Sequence, residues 1–118
     1  MGTLTTHVLD TANGIPAAGM GARLYRLEAD GSASLVKALT LNTDGRGDGP
    51  LLTRETFKAG RYRLVFAVGA YFRARGAALA DPPFLDEVPL EFGLAAGEQH
   101  YHVPLLASPW AYSTYRGS

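Results

Sequence analysis

Over much of the chain, apolar and polar residues alternate with the period of two that a half-buried strand requires. The clearest run is residues 86–92, where Val88, Leu90 and Phe92 point one way and Glu87, Pro89 and Glu91 the other. Residues 62–68 put Tyr62, Leu64, Phe66 and Val68 on one face, and residues 3–10, 20–27, 35–41, 100–107 and 110–115 are further β-rich stretches. Turn signals separate them at fairly regular intervals: Asn13-Gly14, Asp30-Gly31, Asp44-Gly45, Gly49-Pro50, Gly60, Pro82-Pro83, Gly97 and Ser108-Pro109. Short strands divided by Gly and Pro turns predict an all-β sandwich of two sheets, not an α/β fold.

One stretch breaks the alternation. Residues 69–79 (GAYFRARGAAL) are rich in Ala and Arg and set Tyr71 and Arg75 one helical turn apart. They predict a short helix of two to three turns ending near Gly76 or Leu79. The last four residues are expected to finish a strand. No repeat, low-complexity run or linker divides the chain, so residues 1–118 read as one domain.

Composition narrows the function classes. At 118 residues with 47% hydrophobic side chains, the chain can build one core. Eleven basic and eleven acidic side chains balance, against a nucleic-acid-tracking surface or a polybasic membrane patch. With no cysteine there is no disulfide framework and no thiolate zinc site. The first residues show no secretory pattern and no apolar run is long enough to span a bilayer, so a soluble cytoplasmic protein is expected.

The candidate chemistry lies in three histidines and one arginine. In a strand, His100 and His102 share a face while Tyr101, Val103 and Leu105 take the other. The apolar set should face the core, which leaves the histidines outside, in water or in an interface. Their spacing also suits a metal, with His7 as a third nitrogen, and the plainer alternative is a pair of solvated surface histidines. Thr5, His7 and Leu9 share one face and Leu4, Thr6 and Val8 the other. Neither face is distinctly apolar, as expected where the core covers one and a partner subunit the other; a hydrogen-bonded, half-buried histidine is the alternative. Arg46 sits in the glycine-dense loop Asp44-Gly45-Arg46-Gly47-Asp48-Gly49, free to grip a carbonyl or carboxylate with a forked pair of hydrogen bonds, or simply to be solvated. No Lys-Ser/Thr follows the loop, so it is no phosphate cradle. No catalytic triad follows from spacing, and Asp86 and Glu87 point to opposite faces.

Three segments together resemble the 5-hydroxyisourate hydrolase family, a branch of the transthyretin-like proteins. They are Leu4-Thr5-Thr6-His7-Val8-Leu9-Asp10-Thr11 running on to Gly14-Ile15-Pro16-Ala17, Asp44-Gly45-Arg46, and His100-Tyr101-His102-Val103-Pro104-Leu105-Leu106 with Ser108-Pro109 and the terminal Tyr112-Ser113-Thr114-Tyr115-Arg116-Gly117-Ser118. The resemblance implies two four-stranded sheets and a homotetramer, a dimer of dimers with its sites in the channel between dimers. It implies catalytic roles for His7, Arg46 and His102, and substrate contacts from His7, Arg46, Tyr115, Arg116, Gly117 and Ser118. It assigns His100 no catalytic role, and it requires neither a metal nor an organic cofactor, nor a nucleic-acid or membrane partner. The implied reaction, in urate breakdown, is hydrolysis of 5-hydroxyisourate to 2-oxo-4-hydroxy-4-carboxy-5-ureidoimidazoline. A histidine would activate water and Arg46 would stabilise the oxyanion, with the choice between His7 and His102 as base left open. The rival readings are a transthyretin-type carrier of a small ligand and a sandwich domain for adhesion or assembly. Ala67-Val68 and Trp110-Ala111 depart from the family pattern, and Val68 bears on how the helix is capped. Pro104 matches the pattern but lacks a ladder donor, which predicts a bulge or local break there.

Overall fold

In a computed structural model that describes residues 2–118, the alternation becomes β1 (Thr3–Asp10), β2 (Ile15–Pro16), β3 (Gly21–Leu27), β4 (Ala33–Thr40), β5 (Gly60–Ala67), β6 (Glu87–Leu94), β7 (His100–Ala107) and β8 (Tyr112–Thr114), with one helix, α1 (Val68–Ala74), among the described residues. One sheet runs β2-β1-β7-β8 and the other β4-β3-β5-β6. The expected sandwich is present, because each long strand has one apolar row to hide. Leu4 and Val8 of β1, Tyr62, Leu64 and Phe66 of β5, Val88 and Leu90 of β6, and Tyr101, Val103 and Leu105 of β7 are buried in a common core. At about 25 cal/mol per Å² of apolar surface removed from water, these rows supply the main drive to stack the sheets.

The pairing that positions the site is β1 with β7, the one parallel strand pair among the described residues. It is in register from Thr3↔His100 to Asp10↔Ala107, so Thr5 lies beside His102 and His7 beside Pro104. β7 shows no bulge or break at Pro104, contrary to expectation. The His102 carbonyl accepts from Gly117 N–H and the Pro104 carbonyl from the Thr114 hydroxyl, so both residues aim their backbone groups at the β8 side. There β8 has already ended, and a missing N–H at Pro104 leaves no acceptor orphaned.

The helix is shorter than the longest expectation. It starts at Val68 straight from β5, with no side chain capping it, and the Gly69 N–H is satisfied by the Asp86 carbonyl. It stops before Gly76, whose φ of 88° turns the chain left-handed, so residues 77–79 do not extend it. The final strand is also shorter than residues 110–115. The Ser108 hydroxyl accepts from the Ala111 N–H (3.1 Å) and holds Trp110 and Ala111 in a turn, and the strand is over at Thr114. The last four residues therefore do not finish a strand. β2 was not foreseen: two residues are too few for any periodicity.

Asp10 ends β1 pointing into the protein, 1% exposed. Its carboxylate accepts from Asn13 N–H (2.9 Å), Asn13 Nδ2 (2.7 Å) and Tyr71 Oη (2.8 Å), and Arg75 Nε stands 3.7 Å away. Burial pushes its pKa up, but the hydrogen bonds from Asn13, Tyr71 and Ala12 outweigh it and hold the carboxyl below its ordinary 3.8. Burial and the same Asp10 contact push the Tyr71 hydroxyl up to about 12. The carboxylate thus ties α1 to the first turn of the chain. Tyr71→Phe should cost about 1.5–3 kcal/mol in urea unfolding at pH 7, the usual worth of a hydrogen bond to a buried charge. A depressed carboxyl stabilises the fold above its unfolded value and loses that contribution as pH falls through the folded value. The gap between wild type and Tyr71→Phe should accordingly narrow in acid; a gap that widened would contradict this account.

Candidate active site

The parallel pairing of β1 and β7 places Thr3, Thr5 and His7 next to His100 and His102 on the outer face of their sheet. His7 and His102 are half-buried and His100 is exposed. Arg46 arrives from the loop after β4, which folds back onto β1: the Gly45 carbonyl accepts from Val8 N–H at 2.8 Å, and Arg46 bridges His7. Asn42 shapes this loop by accepting from Asp44 N–H (2.9 Å) and Arg46 N–H (3.1 Å) with its side-chain oxygen. The Arg46 side chain is exposed, and among the described residues no carboxylate forms an ion pair with it. A cavity of about 240 Å³ lies beside it, lined by Thr5, Thr6, Gly47, Gly49 and Pro50.

The tail returns to the same place. Gly117 bridges His102, its N–H donating to the His102 carbonyl at 2.8 Å. A Cβ on Gly117 would stand 2.6 Å from Cδ2 of the His102 ring, so any side chain here would force the ring or the tail to move. Ser118 is exposed. Tyr115 and Arg116 point elsewhere. The Arg116 guanidinium donates to Gln99 Oε1 (2.9 Å) and lies 4.3 Å over the Tyr101 ring. Tyr115 and Arg116 both line a cavity of about 290 Å³ with Leu90, Phe92, Tyr101 and Val103. In this chain His7, Arg46, His102 and Gly117 converge, whereas Tyr115 and Arg116 border a different cavity.

Burial and nearby charge push both inner imidazoles toward the neutral form. Burial pushes His7 below its ordinary 6.5, and the Arg46 charge pushes it further, against the raising effect of the Asp44 backbone carbonyl and carboxylate. His102 is lowered by burial first, then by Arg46, His100 and His7. Arg46 acting on both rings is the electrostatic sign of their convergence. Two neutral imidazoles beside a fixed guanidinium can accept a proton and stabilise negative charge in one place. Among the described residues no three His, Asp, Glu or Cys side chains gather as metal ligands, so the His7/His100/His102 arrangement has no ligand geometry.

Sequence reasoning missed Thr3, Thr5 and Asn42. Thr3 Oγ1 is 2.6 Å from His100 Nδ1, and Thr5 Oγ1 is 2.8 Å from His102 Nδ1. The signal was available for Thr5, which shares the outer face of β1 with His7 at a spacing of two.

The pattern of the HIUase/Transthyretin family matches residues 4–117. The chain is 57% identical to 5-hydroxyisourate hydrolase 2 of Rhizobium meliloti, over 99% of this chain and 97% of that protein. It superposes on the crystal structure of (S)-allantoin synthase with a TM-score of 0.92 and 49% identity, covering 99% of this chain and 44% of that one, so it spans less than half of that longer chain. Sea bream transthyretin, solved in complex with thyroxine, is similar at a TM-score of 0.88 and 28% identity over 98% of this chain and 94% of its own.

Proposed function

The chain belongs to the HIUase/Transthyretin family, and on that premise we propose that it hydrolyses 5-hydroxyisourate, as a single domain, at the site built from His7, Arg46 and His102. The observation that carries this is the placing of two imidazoles, each held below its ordinary pKa, around an arginine with no ion-pair partner among the described residues, in a chain more than half identical to a named hydrolase. A carrier that only holds a ligand has no use for that arrangement.

The chemistry follows from the parts. A neutral imidazole takes a proton from water, and the water oxygen attacks the ring acyl carbon. Negative charge grows on the acyl oxygen, where the Arg46 guanidinium offers a forked pair of donors. As the carbon–nitrogen bond breaks, the protonated imidazole returns the proton to the leaving nitrogen. The ring opens to the carboxylate of 2-oxo-4-hydroxy-4-carboxy-5-ureidoimidazoline. Gly117 and Ser118 close the site around His102, and Tyr115 and Arg116 reach the substrate from the rim or from a neighbouring subunit. No step calls for a metal or organic cofactor.

The test is to generate 5-hydroxyisourate with urate oxidase and follow its ultraviolet decay. Micromolar protein should accelerate the decay, and a chelator should leave the rate unchanged. Decay at the spontaneous rate overturns the hydrolase reading, and loss on chelation with recovery on zinc overturns the metal-free mechanism. Run against pH, the same assay should show an acid limb with its midpoint below 6.5. A base whose pKa is lowered from 6.5 keeps its lone pair to lower pH and loses activity only as pH falls through that lowered value. A midpoint above 7 contradicts it.

The site also favours a homotetramer. Leu9, 37% exposed on the same face as His7, leaves apolar surface beside a half-open site that a partner subunit would cover. Light scattering should report a tetramer, and a fully active monomer contradicts it. The lack of cysteine suits a reducing compartment, and we place the enzyme in the cytoplasm.

A further inference from the structure

The β1/β7 register brings four side chains into one hydrogen-bonded row on the outer face of the sheet. Thr3 Oγ1 lies 2.6 Å from His100 Nδ1, His100 Nε2 lies 3.3 Å from Thr5 Oγ1, and Thr5 Oγ1 lies 2.8 Å from His102 Nδ1. The two imidazoles are close to parallel, 17° apart with centroids at 6.5 Å, so the Thr5 hydroxyl touches both without either ring turning. Resting on the hydrolase reading above, we infer that Thr5 is a positioning residue that joins His102 to His100 as a proton relay between the site and solvent.

A hydroxyl has one hydrogen, so Thr5 cannot donate to both rings. Where it donates to His100 Nε2, it must accept from His102 Nδ1–H; where it donates to His102 Nδ1, it must accept from His100 Nε2–H. Thr3 closes the row at His100 Nδ1, so either direction puts both neutral rings in the same tautomer. In the first direction His102 carries its proton on Nδ1 and its Nε2 lone pair is free, on the ring edge away from Thr5. That is the form a general base needs, and Thr5 selects it as second partners of catalytic histidines do.

The relay balances. Water gives a proton to His102 Nε2, His102 passes its Nδ1 proton to Thr5 Oγ1, and Thr5 passes its own to His100 Nε2. His102 ends neutral and His100 ends as the imidazolium, with Nδ1–H still on Thr3. The positive charge has moved from a half-buried ring near Arg46 to an exposed ring, where water solvates it. Running backward, the row returns a proton from His100 Nε2 through Thr5 Oγ1 to His102 Nδ1, as His102 Nε2–H passes to the leaving nitrogen. This gives His100 a part that the family resemblance did not assign to it.

Thr5→Val keeps the β-branched shape and removes the hydroxyl, and Thr5→Ser keeps the hydroxyl. On 5-hydroxyisourate, Thr5→Val should lower kcat about tenfold with KM within about twofold, the scale of lost support to a catalytic group. Thr5→Ser should restore most of kcat, and His100→Asn should resemble Thr5→Val. Ring nitrogen NMR of histidine-labelled wild type should show His100 and His102 in one shared tautomer, uncoupled in Thr5→Val. An unchanged kcat in Thr5→Val, equal losses in Thr5→Val and Thr5→Ser, or opposite tautomers in wild type would each overturn the relay. The NMR arm needs no substrate, so the Thr5 linkage stands or falls separately from the hydrolase reading, which fails only if wild type itself is inactive.

Discussion

Replacing His102 with Asn should lower turnover on 5-hydroxyisourate by about 10²-fold or more, the usual contribution of a positioned general base. The fold should survive, because His102 is half-buried on the outer face and the core row of β7 is Tyr101, Val103 and Leu105. Asn keeps a polar group within reach of Thr5 but has no nitrogen lone pair that titrates near neutrality. His7→Asn should lose activity on the same scale, since His7 is held beside Arg46 by the bridge between their backbones. The two variants differ in what remains. The one that removes the base should also abolish the acid limb of the pH profile, and the other should retain it. The Thr5 row points to His102 as the base and leaves His7 to bind and orient the substrate. Near-normal turnover in both variants, with circular dichroism unchanged, would remove these histidines from the mechanism.

What the sequence disclosed follows from the range over which each interaction acts. The long strands were legible because the period of two is a local signal and one face of each strand is apolar, as in Val88 and Leu90 of β6. The outward direction of His100 and His102 followed from the same parity. Pro104 misled because its effect depends on which neighbour its missing N–H faces, and the backbone pairing with that neighbour, β8, begins only at Leu105. Arg46 could be singled out from its glycines, but its meeting with His7 rests on a backbone bond between Gly45 and Val8 that no local pattern encodes. Asp10 was passed over because a buried carboxylate is stabilised by partners distant in sequence, Tyr71 and Arg75 among them. The tail was misread for the opposite reason. Its residues alternate well enough for a strand, yet the chain leaves the sheet after Thr114 and its backbone meets it again at Gly117.

Removing residues 115–118 should abolish most activity while the β-rich circular dichroism spectrum and the oligomer stay largely intact. Chain ends are commonly frayed and expendable, so the ordinary expectation is the reverse. Here the end is tied down at the site: Gly117 N–H donates to the His102 carbonyl, and its Cα lies against the His102 ring. Without the tail, the ring of His102 loses the wall on one side and opens to water, and a base that wanders loses its rate advantage. Gly117→Ala tests the same contact with one carbon. Its Cβ would stand 2.6 Å from one atom of the His102 side chain, too close to tolerate without movement, and a tight 3.2 and 3.3 Å from two more. His102 is held by Thr5 and by the β1/β7 ladder, and the tail by the Gly117 and Arg116 contacts, so one of them must give: the tail should swing out or the ring should tilt. A displacement of about 1 Å at a reacting group is enough to cost on the order of 10²-fold. Gly117→Ala should therefore lose kcat on that scale with no loss of thermal stability. A tag fused directly after Ser118 should also impair turnover, and one at the N-terminus should be tolerated. Near-normal turnover in the truncated chain, or in Gly117→Ala with the His102 ring NMR signals unmoved, would show that the tail takes no part in the site.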